Sequence, residues 1–168
     1  MKVRLAGEIE SDSIVDGEGL RTVIWFQGCS HNCLGCHNPN THDFNKGLEF
    51  EIEDLKKSIR SLLFQQGITL SGGDPLFQID AALELAKEAW KNNLDVWCYT
   101  GFKIEDILKM GQKYYEFLQT IDVLVDGKFE LAEKSLNLRF RGSKNQRIID
   151  VKKSLKAGKV ILYKDYNN

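Results

Sequence analysis

The chain has 168 residues, of which 42% are apolar and 28% charged, enough to bury one core and too apolar for a disordered tail. Its 23 basic and 24 acidic side chains leave a net charge of -1, so there is no overall positive field to recruit a nucleic acid backbone. No apolar run approaches the roughly 18–20 residues of a bilayer span, and Glu8 and Glu10 interrupt the start before a signal-peptide core can form. The expectation is a single cytoplasmic domain over residues 1–168, with neither nucleic acid nor membrane as partner.

In chain order, Leu20 to Phe26 is a short apolar run rich in β-branched and aromatic residues, and it reads as a strand that stops at Gly28. A polar loop follows, Cys29 to Lys46. From Glu51 the period changes. Ile52, Leu55, Ile59, Leu62 and Leu63 share a helical face, opposite Lys56, Lys57 and Arg60. Gly67 ends that helix, and Ile68 to Leu70 begins a strand. Helix is predicted over Phe77 to Trp90, strand over Val96 to Tyr99, helix over Ile104 to Leu118 and strand over Ile121 to Val125. Two late strands are expected at Arg147 to Val151 and Lys159 to Tyr163.

Strands alternating with helices at this pitch imply right-handed βαβ units, a parallel sheet and helices on its outside. At about 30 residues per unit the chain holds about five or six. A closed eight-unit barrel needs about 250 residues, so the expected fold class is α/β, a partial, open (β/α) barrel. Charge is uneven. Residues 128–168 carry eleven basic and four acidic side chains, against twelve and twenty in the first 127. Most of this excess reads as a solvated surface; a basic face for an acidic partner is the sharper reading.

Cys29, Cys33 and Cys36 lie within eight residues, and Cys98 stands alone. Disulfide scaffolds spread their cysteines to staple distant loops; three crowded together point to metal ligation or redox chemistry. A helical stripe of cysteines is disfavoured by Gly28, Gly35, Asn38 and Pro39. A dithiol redox pair at Cys33 and Cys36 has no use for Cys29. For a metal, two readings stay open. Structural zinc wants four ligands, and His31 or His37 would complete the set. An iron–sulfur cubane held by three thiolates leaves one iron open, as a catalytic centre needs.

The C-x3-C-x2-C spacing after a first strand resembles the signature of the radical S-adenosylmethionine enzymes. Asp16-Gly17-Glu18-Gly19-Leu20-Arg21 followed by Phe26-Gln27-Gly28-Cys29 resembles the opening segment of the glycyl-radical activating enzymes. Cys36-His37-Asn38-Pro39, Leu70-Ser71-Gly72-Gly73-Asp74-Pro75, Asp122 to Phe129 and Phe140 to Arg147 resemble, in order, the anaerobic ribonucleoside-triphosphate reductase-activating proteins. The matches span residues 16 to 147.

This resemblance implies a [4Fe-4S] cluster on Cys29, Cys33 and Cys36, and S-adenosyl-L-methionine bound at the open iron. Reductive cleavage gives a 5′-deoxyadenosyl radical, which takes a hydrogen from a glycine of the large catalytic subunit of the reductase; an electron donor such as flavodoxin is implied. Gly35, Cys36, His37 and Asn38 would flank the cofactor, with Gly35 standing where many members carry an aromatic residue. The backbone of Gly72 and Gly73 would meet the methionyl amino group. Asp74 stands where the superfamily often has Glu, and it also suits an N-cap before Pro75. Lys128 would meet the cofactor's carboxylate, Asp126 and Thr100 would help a cation or carboxylate site, and Asp16 would face the glycyl loop. Glu18 departs from the Pro of related activators. Cys98 is expected to be a buried hydrophobe, and His31 and His42 surface residues. The alternatives are a radical S-adenosylmethionine enzyme with another substrate (pyruvate formate-lyase activation or deazaguanine synthesis) and a structural zinc module.

Overall fold

The computed structural model describes residues 1–168. Its elements follow in the order β1 (Lys2–Leu5), β2 (Glu10–Ser13), β3 (Arg21–Phe26), β4 (Leu48–Glu51), α1 (Ile52–Arg60), β5 (Gly67–Gly72), α2 (Ile79–Lys91), β6 (Asp95–Tyr99), α3 (Ile104–Ile107), α4 (Gln112–Gln119), β7 (Val123–Asp126), β8 (Arg147–Asp150) and α5 (Val151–Ala157). All eight strands form one open sheet, ordered β4-β1-β3-β5-β6-β7-β8, with β2 also paired to β3. The centre, β3-β5-β6-β7, is parallel. β1, β2, β4 and β8 join it antiparallel.

The open α/β architecture is as expected, but the parallel part has four strands, short of five or six repeated units. Between β7 and β8 the only helical segment is a three-residue 3-10 turn, Leu131–Glu133. Without a crossover helix the chain cannot return parallel, so β8 pairs antiparallel. The expected strand over Lys159 to Tyr163 reduces to a single bridge, Leu162 to Ile149. The predicted helix over Ile104 to Leu118 divides into α3 and α4, because Gly111 takes φ 109°, outside the helical region. α1 stops at Arg60, which leaves Leu63 outside the apolar face and 82% exposed.

Strand alternation sorts side chains onto two faces. On one, Ile24, Phe26, Ile68, Leu70, Val96, Cys98, Leu124 and Ile149 pack against the helices to form the main core. α1 contributes Ile52, Leu55 and Ile59; α2 contributes Ala82, Leu85, Ala86 and Ala89. Lys56–Glu84 at 2.7 Å and Arg60–Glu88 at 3.0 Å bridge these two helices. The other face carries no helix. Trp97, Val123, Val125 and Ile148 are covered there by Phe140, Tyr163 and Tyr166. Arg21, fully buried on this face, has its charge met by Asp95 at 2.5 Å and donates to Thr69 Oγ1 and the Ile68 carbonyl.

Candidate functional site

The carboxyl ends of β3, β5, β6 and β7 point the same way, the edge where parallel α/β sheets build their sites. β3 runs into the cysteine loop, β5 into Gly72-Gly73-Asp74, β6 into Thr100-Gly101 and β7 into Gly127-Lys128-Phe129. The cysteine loop has no α-helix, so its thiols are placed by loop contacts. Gly28 N–H donates to the Thr41 carbonyl at 2.7 Å and Cys29 N–H to the His42 carbonyl at 3.1 Å. The buried Gln27 amide donates to the carbonyls of Asn40 and Asp43, pinning the returning limb.

All four cysteines are free thiols; Cys29 is buried and Cys33 and Cys36 are half-buried. Of the clustered sulfurs, that of Cys36 accepts from the Asn38 N–H at 3.4 Å. Burial pushes the Cys29 thiol up to about 11, helped by the nearby charges of Asp74, Cys33 and Cys36 and opposed by the His31 N–H. Burial and Cys36 also raise Cys33, against the Phe129 N–H and Lys128. Three thiolates in mutual range can be ionised together only with a cation to hold them, and an N–H aimed at sulfur, as the Asn38 N–H is at Cys36, tunes an iron–sulfur cluster. The donor set therefore fits a cluster.

A mononuclear site fits less well. No three His, Cys, Asp or Glu side chains are gathered as ligands of a single metal ion. Tetrahedral zinc would need its donors within about 2.0–2.3 Å of one point, whereas a cubane takes each thiolate on a separate iron. No fourth donor stands ready. Cys98 is fully buried among the helix-side residues of β6, its pKa pushed well up by burial. His37 is exposed and packs edge-on against Phe129 at 5.1 Å.

His31 is not the surface residue expected. Its side chain is 8% exposed, with Nε2 2.7 Å from Asp74 Oδ2. His42 is likewise half-buried, with Nε2 shielded and unpartnered. Asp74 is the N-cap anticipated, accepting from Leu76 N–H, but its carboxylate also accepts from the Thr100 hydroxyl and the Gly101 N–H. Its oxygens are committed to protein donors, so Asp74 and Thr100 shape the site from behind. Gly72 and Gly73 sit where no Cβ fits: one on Gly72 would lie 2.3 Å from the Phe26 carbonyl oxygen, and one on Gly73 2.4 Å from that of Gly28. The paired glycines let this turn press against the start of the cysteine loop.

The two late motifs explain each other. Gln146 donates to the Gly127 carbonyl and accepts from the N–H groups of Gly142 and Ser143. Asn145 donates to the Lys128 carbonyl at 2.7 Å. Together they hold the segment after β7, whose Phe129 packs on His37 of the cysteine loop. Lys128 itself is exposed and forms no ion pair, a free cation near Cys33. Asp126 is 1% exposed and bound by Arg147 and the Ile104 N–H, so its carboxylate ties β8 and the start of α3 to the end of β7.

Beside these loops, a cavity of about 360 Å³ is lined by Asp16, Ser71, Tyr99, Cys36, His37 and Asn38, among others. Burial raises the pKa of Asp16, against a hydrogen bond from Ser13, and burial with the nearby Asp16 charge raises that of Tyr99. Tyr99, Arg141 and Gln146 belong to this wall; sequence reasoning assigned them nothing, because only topology brings β6 and the late turn to the cysteine loop. A larger cavity, about 590 Å³, lies among α3, α4 and α5 and is lined by none of the cysteines.

The sequence profile of the family described as "4Fe-4S single cluster domain" matches residues 15–149. Anaerobic ribonucleoside-triphosphate reductase-activating proteins match over most of their length. That of Haemophilus influenzae is 35% identical over 146 residues, covering 80% of this chain and 90% of its own. Those of Enterobacteria phage T4 and Escherichia coli strain K12 are 38% and 36% identical, covering 80% and 79% of this chain and 86% and 90% of theirs. Among solved structures, QueE from Escherichia coli aligns with a TM-score of 0.48 at 15% identity, over 75% of this chain and 71% of that one. An open α/β sheet carrying a thiol cluster at its carboxyl edge is thus a single-cluster iron–sulfur domain. Within that class, the chain belongs to the family of anaerobic ribonucleoside-triphosphate reductase-activating proteins.

Proposed function

We propose that this enzyme installs a glycyl radical on the large catalytic subunit of an anaerobic ribonucleoside-triphosphate reductase. The observation that carries the reading is the donor set: three free thiols on one loop, Cys36 accepting from the Asn38 N–H, with no fourth side chain placed to complete the shell. Cys29, Cys33 and Cys36 would hold a [4Fe-4S] cluster. With S-adenosyl-L-methionine bound, that cluster supplies a reductive cleavage whose product radical takes a hydrogen atom from a glycine Cα.

The chain's own residues bind, orient and shield. Gly72 and Gly73, pressed on the cysteine loop, bring main chain to the cofactor's methionyl end. Gly35, Cys36, His37 and Asn38 form the loop side of the site, and Lys128 offers its ammonium to a carboxylate. Asp74 positions both limbs through its protein donors. Asp16 and Tyr99 line the cavity that receives the protein substrate, and the walls around it keep bulk water from the reacting atoms. A low-potential carrier such as flavodoxin delivers the electron, in a cytoplasmic compartment reducing enough to keep the thiols free. No helix is long and apolar enough to cross a membrane.

The test mixes anaerobically reconstituted, reduced protein with S-adenosyl-L-methionine and the large reductase subunit, then looks by electron paramagnetic resonance for a glycyl-radical doublet. The doublet is expected. Its absence while 5′-deoxyadenosine is still formed would leave the cofactor chemistry standing and overturn the substrate.

A further inference from the structure

We infer that His31 is a positioning residue, a strut that fixes the cysteine loop to the turn after β5 and so sets the spacing between the thiols and the cofactor-binding main chain. What the loop holds rests on the reading above; the strut itself rests on geometry. Asp74, 1% exposed, gathers the Thr100 hydroxyl at 2.9 and 3.0 Å, the Gly101 N–H at 2.9 Å and the Leu76 N–H at 3.0 Å. His31 Nε2 joins this carboxylate at 2.7 Å and is the only one of its donors that comes from the cysteine loop. A carboxylate only accepts, so Nε2 carries the proton.

The ring is fixed on its other sides as well. Its centroid lies 4.6 Å from that of Phe102, edge-on, and 5.5 Å from that of Phe77. Residue 101 has to be glycine for the ring to fit, since a Cβ there would come 2.6 Å from the imidazole. His31 thus reaches from the loop between Cys29 and Cys33 to a buried carboxylate with its side chain. Three strand ends meet through it: β3 by the loop, β5 by Asp74 and β6 by Thr100 and Gly101. With Nε2 engaged, His31 is held back from ligation and acts on the site through the loop it fixes, much as outer-shell partners orient metal ligands.

The test compares His31→Leu, which removes the donor but keeps bulk, with His31→Gln, which restores an N–H of similar reach. In metal-free protein, alkylation of Cys29 by iodoacetamide, followed by peptide mass spectrometry, should speed up about tenfold in His31→Leu, the order expected for losing one hydrogen bond to a charged group. It should return close to the wild-type rate in His31→Gln. In reconstituted protein, the affinity for S-adenosyl-L-methionine by equilibrium dialysis should fall and recover in the same pair. Should His31→Leu fail to fold, Thr100→Val removes a different donor from the same carboxylate and should speed alkylation in the same direction. Wild-type behaviour of His31→Leu, of Thr100→Val in its place, or a His31→Gln that behaves like His31→Leu, would overturn the strut. If alkylation follows the expected pattern while wild-type protein takes up no cluster, the strut stands and the proposed function falls.

Discussion

Arg147 grips Asp126 at two points across the β7–β8 pair, Nε to Oδ1 at 2.9 Å and Nη2 to Oδ2 at 2.6 Å. Asp126 is buried and also accepts from the Ile104 N–H, so it starts α3 and ties on the antiparallel edge strand. Replacing Arg147 with Met strands a buried carboxylate and should cost about 3 kcal/mol. Asp126→Asn keeps an acceptor for Ile104 and should cost less, about 1–2 kcal/mol. Denaturant unfolding orders the two; the reverse order would contradict this account of the pair.

The same guanidinium holds Glu105 at 2.7 and 2.9 Å, and that hydrogen bond lowers the Glu105 pKa to about 2 from an ordinary 4.5. A carboxyl held below its unfolded value stabilises fully above that value and loses the contribution as pH falls through the folded one. The stability difference between wild type and Glu105→Gln should therefore be complete above about pH 4.5 and vanish toward pH 2. Thermal unfolding across that window checks this; a difference that grows on acidification would have the wrong sign.

Gly73→Ala places a Cβ 2.4 Å from the Gly28 carbonyl oxygen and 2.8 Å from that of Thr41, both main chain of the cysteine loop. Backbone cannot swing aside as a side chain can, so the substitution should cost about 1–3 kcal/mol and reduce iron uptake in the same protein. Gly7→Ala, with nothing within 4 Å of the new carbon, is the control expected to leave both unchanged in a paired reconstitution and melting experiment.

Glu18 receives Lys164 at 2.7 and 2.9 Å and the hydroxyls of Tyr163 and Tyr166. Burial works against its charge, but these donors outweigh it and keep its carboxyl below the usual range. Asn167 then brackets Ile148, accepting from its N–H and donating to its carbonyl. Glu18→Ala should free this tail. Hydrogen exchange at the Ile148 and Tyr163 amides should accelerate while the amides of β5 stay protected; unchanged exchange would mean that the aromatic packing alone holds the tail.

The four cysteines should separate cleanly. Cys98→Ala removes a buried sulfur from the helix-side core and should cost about 1–2 kcal/mol while keeping the iron of the wild type. Cys29→Ala, Cys33→Ala or Cys36→Ala should lose the iron. Iron and sulfide analysis after anaerobic reconstitution decides, and iron loss in the Cys98 variant would mean that the ligands are misassigned.

The central parallel strands and the helices against them were legible because their apolar spacing is strong: β3, β5, β6 and β7 are short runs of β-branched, aromatic and other apolar residues, and α1 and α2 keep a helical stripe. β1, β2 and β4 escaped notice. Each is four residues long; β2 (Glu-Ser-Asp-Ser) has no apolar residue, and β4 (Leu-Glu-Phe-Glu) alternates over only two apolar residues and is largely exposed. They form because neighbouring strands offer hydrogen-bonding edges, which is a property of the fold. At the site, the cysteine spacing and the paired glycines stood out in sequence. The partners of His31, Asp74, Asp126 and Glu18 did not, since those contacts span 21 to 148 positions. Apart from Asp74's local N-cap, these residues read otherwise on their own: His31 as a surface residue or a zinc ligand, Asp126 as part of a cation or carboxylate site, and Glu18 as a departure from the Pro of related activators.

The central claim is a cluster held by three thiolates with one iron left to the cofactor. Electron paramagnetic resonance of the reduced, reconstituted protein, recorded before and after adding S-adenosyl-L-methionine, tests it most directly. A brown protein with about four irons per chain, whose cluster signal changes when the cofactor is added, is the predicted result. A colourless protein holding zinc, or a four-iron signal indifferent to S-adenosyl-L-methionine, would contradict it.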